Sequence, residues 1–226
     1  MKRGPRYFFL ACLMFFSLSE SIKAQEFQQT YDLSPSGQIR IRNVSDDIRV
    51  TGYDGDRIFV TGTKVGPDRE MIRIEETSST NDLVELEVRY PETGRCNAGV
   101  NFEIHVPKGI PYNFSRISSV SGNVEFDGFY GSINAESVSG NVEIRDVRPI
   151  AVNAKSVSGN VDVKAPVDLN AKIAMSSISG SLKTDFPLNI QSQPAGAGQS
   201  VSGKLGDGMH SMTLNTISGH INLRIR

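Results

Sequence analysis

Histidines, serines and carboxylates are the residues of this chain whose types could do chemistry. His105, His210 and His220 share no metal-ligand spacing, and after the leader Cys96 is the single cysteine, so an ordinary zinc site lacks its ligands. His105 alternates outward in "VNFEIHV" and reads as a surface strand residue. His220 stands where Asn123, Asn141 and Asn160 stand in related stretches and reads as a drifted repeat position. The serines are many, but no GxSxG elbow holds one as a nucleophile. Glu125, Glu143 and Asp162 recur at one motif position and form an acidic column, the one candidate place for a divalent cation. Calcium prefers about six to eight clustered oxygens, which flat strands rarely supply. A glycosidase or lyase would need two positioned acids beside a cleft, and no long inserted loop offers a cleft wall. The reading is therefore a chain without catalytic residues, cofactor or zinc.

The elements behind these residues come from a repeat. "SVSGNVEF" (119–126) returns as "SVSGNVEI" and "SVSGNVDV". Six glycines anchor the pattern, each preceded by serine: Ser121–Gly122, Ser139–Gly140, Ser158–Gly159, Ser179–Gly180, Ser202–Gly203 and Ser218–Gly219. The glycines are spaced by 18, 19, 21, 23 and 16 residues. A β-branched residue precedes each serine: Val120, Val138, Val157, Ile178, Val201 and Ile217. An aliphatic follows each glycine by two: Val124, Val142, Val161, Leu182, Leu205 and Ile221.

A period near twenty means one supersecondary unit per repeat, stacked on its neighbours. Short alternating Val/Ile runs between Gly, Asp, Asn and Pro make that unit two or three strands joined by corners. The expected fold is all-β: a right-handed parallel β-helix or β-solenoid of short coils over 115–226, preceded by a group of longer strands. In this reading the β-branched residues before Ser-Gly form an inward ladder. Glycine supplies unusual backbone angles at the corner, and the adjacent serine bonds the backbone at the bend. Outward positions should carry an asparagine ladder at Asn123, Asn141 and Asn160 and a Glu136–Lys155 pair on adjacent coils.

"NVSDDIRVTGYDGDRI" (43–58) reads as an earlier, degenerate coil, with Val44, Ile48 and Val50 inward and Asp46 in place of glycine. Residues 61–111 break the short period with the longer runs "LVELEVRY" and "VNFEIHV", a helical turn at "GPDREMI" and a turn at "VPKGIP". The stretch "QSQPAGAGQ" (191–199) reads as looped out.

The repeated "VSGNV" after "VPKG", with the opening "IRNVSDDIRVTGYDGDRI", resembles the bacterial family called domain of unknown function 4097, which carries an adhesin label. The resemblance spans roughly residues 35–226. It implies an exported or envelope-associated β-solenoid with no established catalytic residues. Asp46 and the weak fifth coil depart from the pattern.

Residues 1–24 look like a cleaved signal peptide: Lys2, Arg3 and Arg6, an apolar run from Tyr7 to Leu18, and a polar tail ending at Ala24. Twelve apolar residues are short for a bilayer core that needs about 20. Residues 25–226 then form one domain with no transmembrane segment. Removing the leader takes four of 24 basic residues and one of 25 acidic ones, leaving 20 against 24, a balance of −4. An acidic chain is a poor partner for nucleic acid. The expected role is a non-catalytic surface or periplasmic binding or scaffold protein, adhesin-like, presenting a repetitive face to a glycan, matrix, protein or envelope partner. Alternatives are a structural protein that self-associates through its solenoid ends, and a carbohydrate-active enzyme.

Overall fold

A computed structural model describes residues 27–188, 191–192 and 198–226. The leader and residues 193–197 of the stretch expected to loop out lie outside the described residues; the ends of that stretch are corrected to strand, Gln191 and Ser192 pairing antiparallel with Ser200 and Gln199. In chain order the strands are β1 (Phe27–Tyr31), β2 (Gln38–Arg42), β3 (Ile48–Tyr53), β4 (Ile58–Val65), β5 (Arg73–Ser79), β6 (Leu83–Arg89), β7 (Gly99–Pro107), β8 (Tyr112–Ser119), β9 (Val124–Asp127) and β10 (Tyr130–Ser137). They continue as β11 (Val142–Arg145), β12 (Arg148–Ser156), β13 (Val161–Ala165), β14 (Ala171–Ser177), β15 (Leu182–Thr184), β16 (Gln191–Ser192), β17 (Gln199–Lys204), β18 (His210–Thr216) and β19 (Ile221–Ile225). A 3₁₀ turn at Arg69–Met71 occupies the expected helical stretch.

Among the described residues these strands form two sheets. One runs β1-β4-β7-β3-β9-β11-β13-β19-β15, the other β16-β17-β14-β18-β12-β10-β8-β2-β6-β5. Each coil contributes one strand to each sheet, and the coils stack in parallel register, as in Val142↔Val124 and Val142↔Val161. Alternation drives the layering. Val124 and Phe126, Val142 and Ile144, and Val161 and Val163 are buried between the sheets, while the residues between them face out. Phe114, Phe126 and Phe129 pack with ring centroids 4.9–5.8 Å apart.

The stacking order is not the chain order. β6 and β7 form a further coil below β2–β3, so residues 61–111 extend the stack instead of interrupting it. β4, β1 and β5 run antiparallel and finish that end. At the other end, β18–β19 sits between β12–β13 and β14–β15. The last strand of the sequence, over "HINLRIR", is therefore not an open solenoid end available for self-association: β19 is paired on both sides.

The fifth copy is also corrected. "SVSGKL" is no corner; β17 runs antiparallel to β14, with Gly203 opposite Ile173. The physical reason lies one residue further. Where the other copies carry an acceptor after glycine, this one carries Lys204, a donor only.

Candidate binding surface

The corner between the two sheets is where the repeat is most regular, and its register differs from expectation. The buried residue is the one three before glycine: Ser119, Ser137, Ser156, Ser177 and Thr216. Ser137 Oγ donates to the Gly122 carbonyl of the coil below (2.9 Å) and accepts from its own coil's Gly140 N–H (3.0 Å). Ser156, Thr216 and Ser177 donate in the same way to Gly140, Gly159 and Gly219, at 2.8, 2.9 and 2.8 Å. Ser121, Ser139, Ser158, Ser179 and Ser218, expected to make these bonds, are exposed.

Glycine is required by close approach and not by unusual angles. Gly122, Gly140, Gly159, Gly180 and Gly219 are absent from the positive-φ residues. A Cβ on Gly140 would stand 2.0 Å from the Gly122 carbonyl oxygen, and one on Gly159 would stand 2.1 Å from that of Gly140. Asp46 opens this column at φ 73°, and its carbonyl oxygen meets Gly122. Asn43 replaces the buried serine there and donates to the carbonyls of Val100 (2.7 Å) and Asp46 (3.1 Å). Burial, with repulsion from Asp47, raises the Asp46 carboxyl above the usual range.

With serine and glycine turned inward, the residue between them turns out. The expected inward ladder is corrected to an exposed stripe. In stacking order, Val44, Val120, Val138, Val157, Ile217 and Ile178 are 38, 43, 43, 39, 45 and 55% exposed. Val201 alone of that set is buried, in antiparallel β17. At about 4.8 Å per coil the stripe is about 24 Å long. It borders a groove of about 440 Å³. The groove's far wall includes Ser118, Glu136, Lys155, Asn215 and Ser176. Glu136 and Lys155 pair at 3.5 Å, and Ser176 donates to Asn215 at 2.9 Å, so this wall neutralises itself.

On the other side of the corner runs the asparagine ladder. Asn141 N–H donates to Asn123 Oδ1 (3.0 Å), Asn160 N–H to Asn141 Oδ1 (2.8 Å) and His220 N–H to Asn160 Oδ1 (2.9 Å). Asn101 Oδ1 begins the ladder by accepting from Asp47 N–H (3.2 Å), and Asp47 Oδ1 accepts in turn from Asn123 N–H (2.8 Å). His220 Nδ1 continues it by accepting from Ser181 N–H (3.2 Å). His105 is exposed beside Tyr53, and His210 begins β18.

Glu125, Glu143 and Asp162 do stack in register. Their charge is met within the protein. Arg49 pairs with Glu125 at 3.0 Å, Arg145 bridges Glu125 (3.5 Å) and Glu143 (2.8 Å), and Asn222 donates to Asp162 at 2.6 Å. Among the described residues no group of three or more His, Cys, Asp or Glu could hold a metal ion. Cys96 is a free thiol, half-buried against the core. At the opposite corner a polar groove of about 610 Å³ is lined by Lys108, Asp127, Tyr130, Asp146, Arg148 and Arg226 among others, with Asp146 and Arg226 paired at 2.7 Å. No helix of the described residues is long and apolar enough to cross a membrane.

Fold and corner together define a class of all-β proteins in which short repeats stack as paired strands around a glycine column. The chain belongs to the Toastrack DUF4097 family, whose model matches residues 108–224. A solved Clostridium sporogenes structure, named provisionally as a cell adhesion protein, is 16% identical, with a TM-score of 0.63 over 88% of this chain and 99% of that one. It shares the fold. A Bacteroides fragilis structure, named provisionally as an adhesin, is 14% identical over 87% of this chain and 96% of that one. Its TM-score of 0.32 is too low to carry an argument. No curated protein matches the chain.

Proposed function

We propose that this is an exported, non-catalytic binding protein of the cell envelope, wound right-handed as parallel crossovers are, which engages its partner along the corner stripe. The stripe carries the reading. Six stacked corners place a β-branched aliphatic in solvent, each followed by a small serine, and core packing does not explain the apolar choice there. Contiguous exposed apolar surface beside a polar rim is the usual mark of an interaction site. The stripe is aliphatic and the chain has no tryptophan, which favours an apolar envelope partner over a glycan. The provisional naming of the Clostridium sporogenes structure as a cell adhesion protein agrees with a surface-binding role. End-to-end self-association has less support, because the edges are blunted. β15 is three residues long and carries Lys183, and β5 carries Arg73, Glu75 and Glu76.

Protease shaving of intact cells tests the reading. Digestion of the chain on intact cells places it at the surface, and protection lost only when the envelope is opened places it in the periplasm. Recovery of full-length chain, leader retained, from the cytosol would contradict export. Release of new reducing ends from envelope polysaccharides by the purified chain would contradict the non-catalytic reading.

A further inference from the structure

The last coil in the sequence is not the last coil in the stack. Residues 210–225 lie between a coil that ends at Ala165 and one that begins at Ala171. The link over 166–170 therefore spans two coil steps, about 9.6 Å. It holds a slot one coil wide between β12–β13 and β14–β15. β18 fills that slot in one sheet, pairing Asn153↔Thr213 on one side and Ala174↔Thr213 on the other. β19 fills it in the other sheet, with Ile221 between Val161 and Leu182.

The filling coil brings its own core. Met212, Leu214, Ile221 and Leu223 are all at most 1% exposed. Its buried Thr216 and its Gly219 complete the corner columns between Gly159 and Gly180. On its N-terminal side it joins the stack through the short link 205–209, where Gly206 (φ 58°) and Gly208 (φ 66°) adopt turn angles. An element that pairs on both faces and hangs on a short glycine-containing hinge has the ingredients of exchange between identical chains, since every contact it makes at home can be reproduced in a second copy.

We propose that the slot is an interaction site whose partner is a second copy of this chain, which donates residues 210–225 to it. Opening the hinge converts a compact monomer into a strand-exchanged dimer with the same coil contacts. Such exchange needs the coil to leave its slot, so it is slow at low temperature and favoured by concentration and warming.

Cysteine pairing across the slot reads this out in the full chain. With Cys96→Ser as background, one sample carries Asn153→Cys and another carries Thr213→Cys. These positions face out and sit opposite each other on adjacent parallel strands, within the Cα range of about 4.4–6.8 Å that a disulfide spans. A third chain carrying both changes reports correct local geometry by forming its bond within a monomer. The two single variants are mixed at high concentration, warmed below the melting temperature, cooled and oxidised. The proposal expects a covalent dimer joining position 153 of one chain to position 213 of the other, at least tenfold above that from a mixture oxidised without warming. It is overturned if the double variant closes internally while the warmed mixture gives no 153–213 dimer. Dimers joining 153 to 153 alone also overturn it.

Discussion

Replacing Gly140 by alanine tests the corner column in its middle, with a corner glycine stacked on either side. The new Cβ would lie 2.0 Å from the Gly122 carbonyl oxygen and 2.5 Å from its carbon. Ordinary contact begins near 3.4 Å, so the overlap with the oxygen is about 1.4 Å. Both atoms are backbone, and neither can swing aside as a side chain could. The coils must part at the corner, where four bonds converge: Ser137 to Gly122 (2.9 Å), Gly140 to Ser137 (3.0 Å), Asn141 to Asn123 (3.0 Å) and Ser139 N–H to the Val120 carbonyl (2.8 Å). Losing two or three at about 1 kcal/mol each, with overpacking of about 1–3 kcal/mol, gives a destabilisation of about 3–6 kcal/mol. Urea unfolding followed by far-ultraviolet circular dichroism measures it. Gly109→Ala is the control. Nothing lies within 4 Å of a Cβ there and its φ is not positive, so stability should hold or rise by up to about 1 kcal/mol. A Gly140→Ala protein within about 1 kcal/mol of the parent would refute glycine-on-carbonyl stacking.

Three further outcomes follow from the same corner. Ser156→Ala leaves the Gly140 carbonyl without its hydroxyl donor and should cost about 1–3 kcal/mol, whereas Ser158→Ala, on the exposed side, should stay within about 0.5 kcal/mol; paired urea melts decide. In a Cys96→Ser background, a thiol at Val138→Cys should react with maleimide as a free surface thiol, and one at Ser137→Cys should react only when the fold opens, by orders of magnitude more slowly. The Asp46 carboxyl is raised in the folded protein, so folding binds a proton in the window above the unfolded value of 3.8 and stability falls as pH rises through that window. Asp46→Asn should therefore melt higher than the parent at pH 7, with the gap closing below pH about 4, where both side chains are neutral; equal gaps at both pH values would remove this account.

Much of the stack was legible in the chain because coil-to-coil registry demands the same residue types at the same places. Alternation in "NVEF" and "NVEI" assigns Val124, Phe126, Val142 and Ile144 to the core, and the asparagine and Glu136–Lys155 ladders follow from stacking like on like. The corner was misread for a physical reason. Period-two alternation carried through "SVSG" puts valine inside, but the chain turns there, and a small hydroxyl that caps a neighbouring carbonyl fits the interior better than a branched side chain. Apolarity alone cannot tell a core ladder from a surface stripe. The order of the coils was hidden for another reason: near-identical repeats fit one another in any order, so nothing in "TISGHINL" says that it belongs between "SVSGNVDV" and "SISGSLKT". The antiparallel fate of "SVSGKL" had one visible signal, Lys204 at the acceptor position.

The central claim is that the exposed stripe is the binding face, and co-sedimentation of the purified chain with isolated cell envelopes tests it most directly. The parent is compared with a Val120→Ser, Val138→Ser, Val157→Ser protein. These side chains are about 40% exposed, so the changes should leave the fold's stability little altered. If each valine buries about 40 Å² against the partner, the three together contribute about 3 kcal/mol, and affinity should fall by about 150-fold. Envelope binding of undiminished affinity by a triple variant that melts like the parent would contradict the account and move the search to the polar groove at the opposite corner.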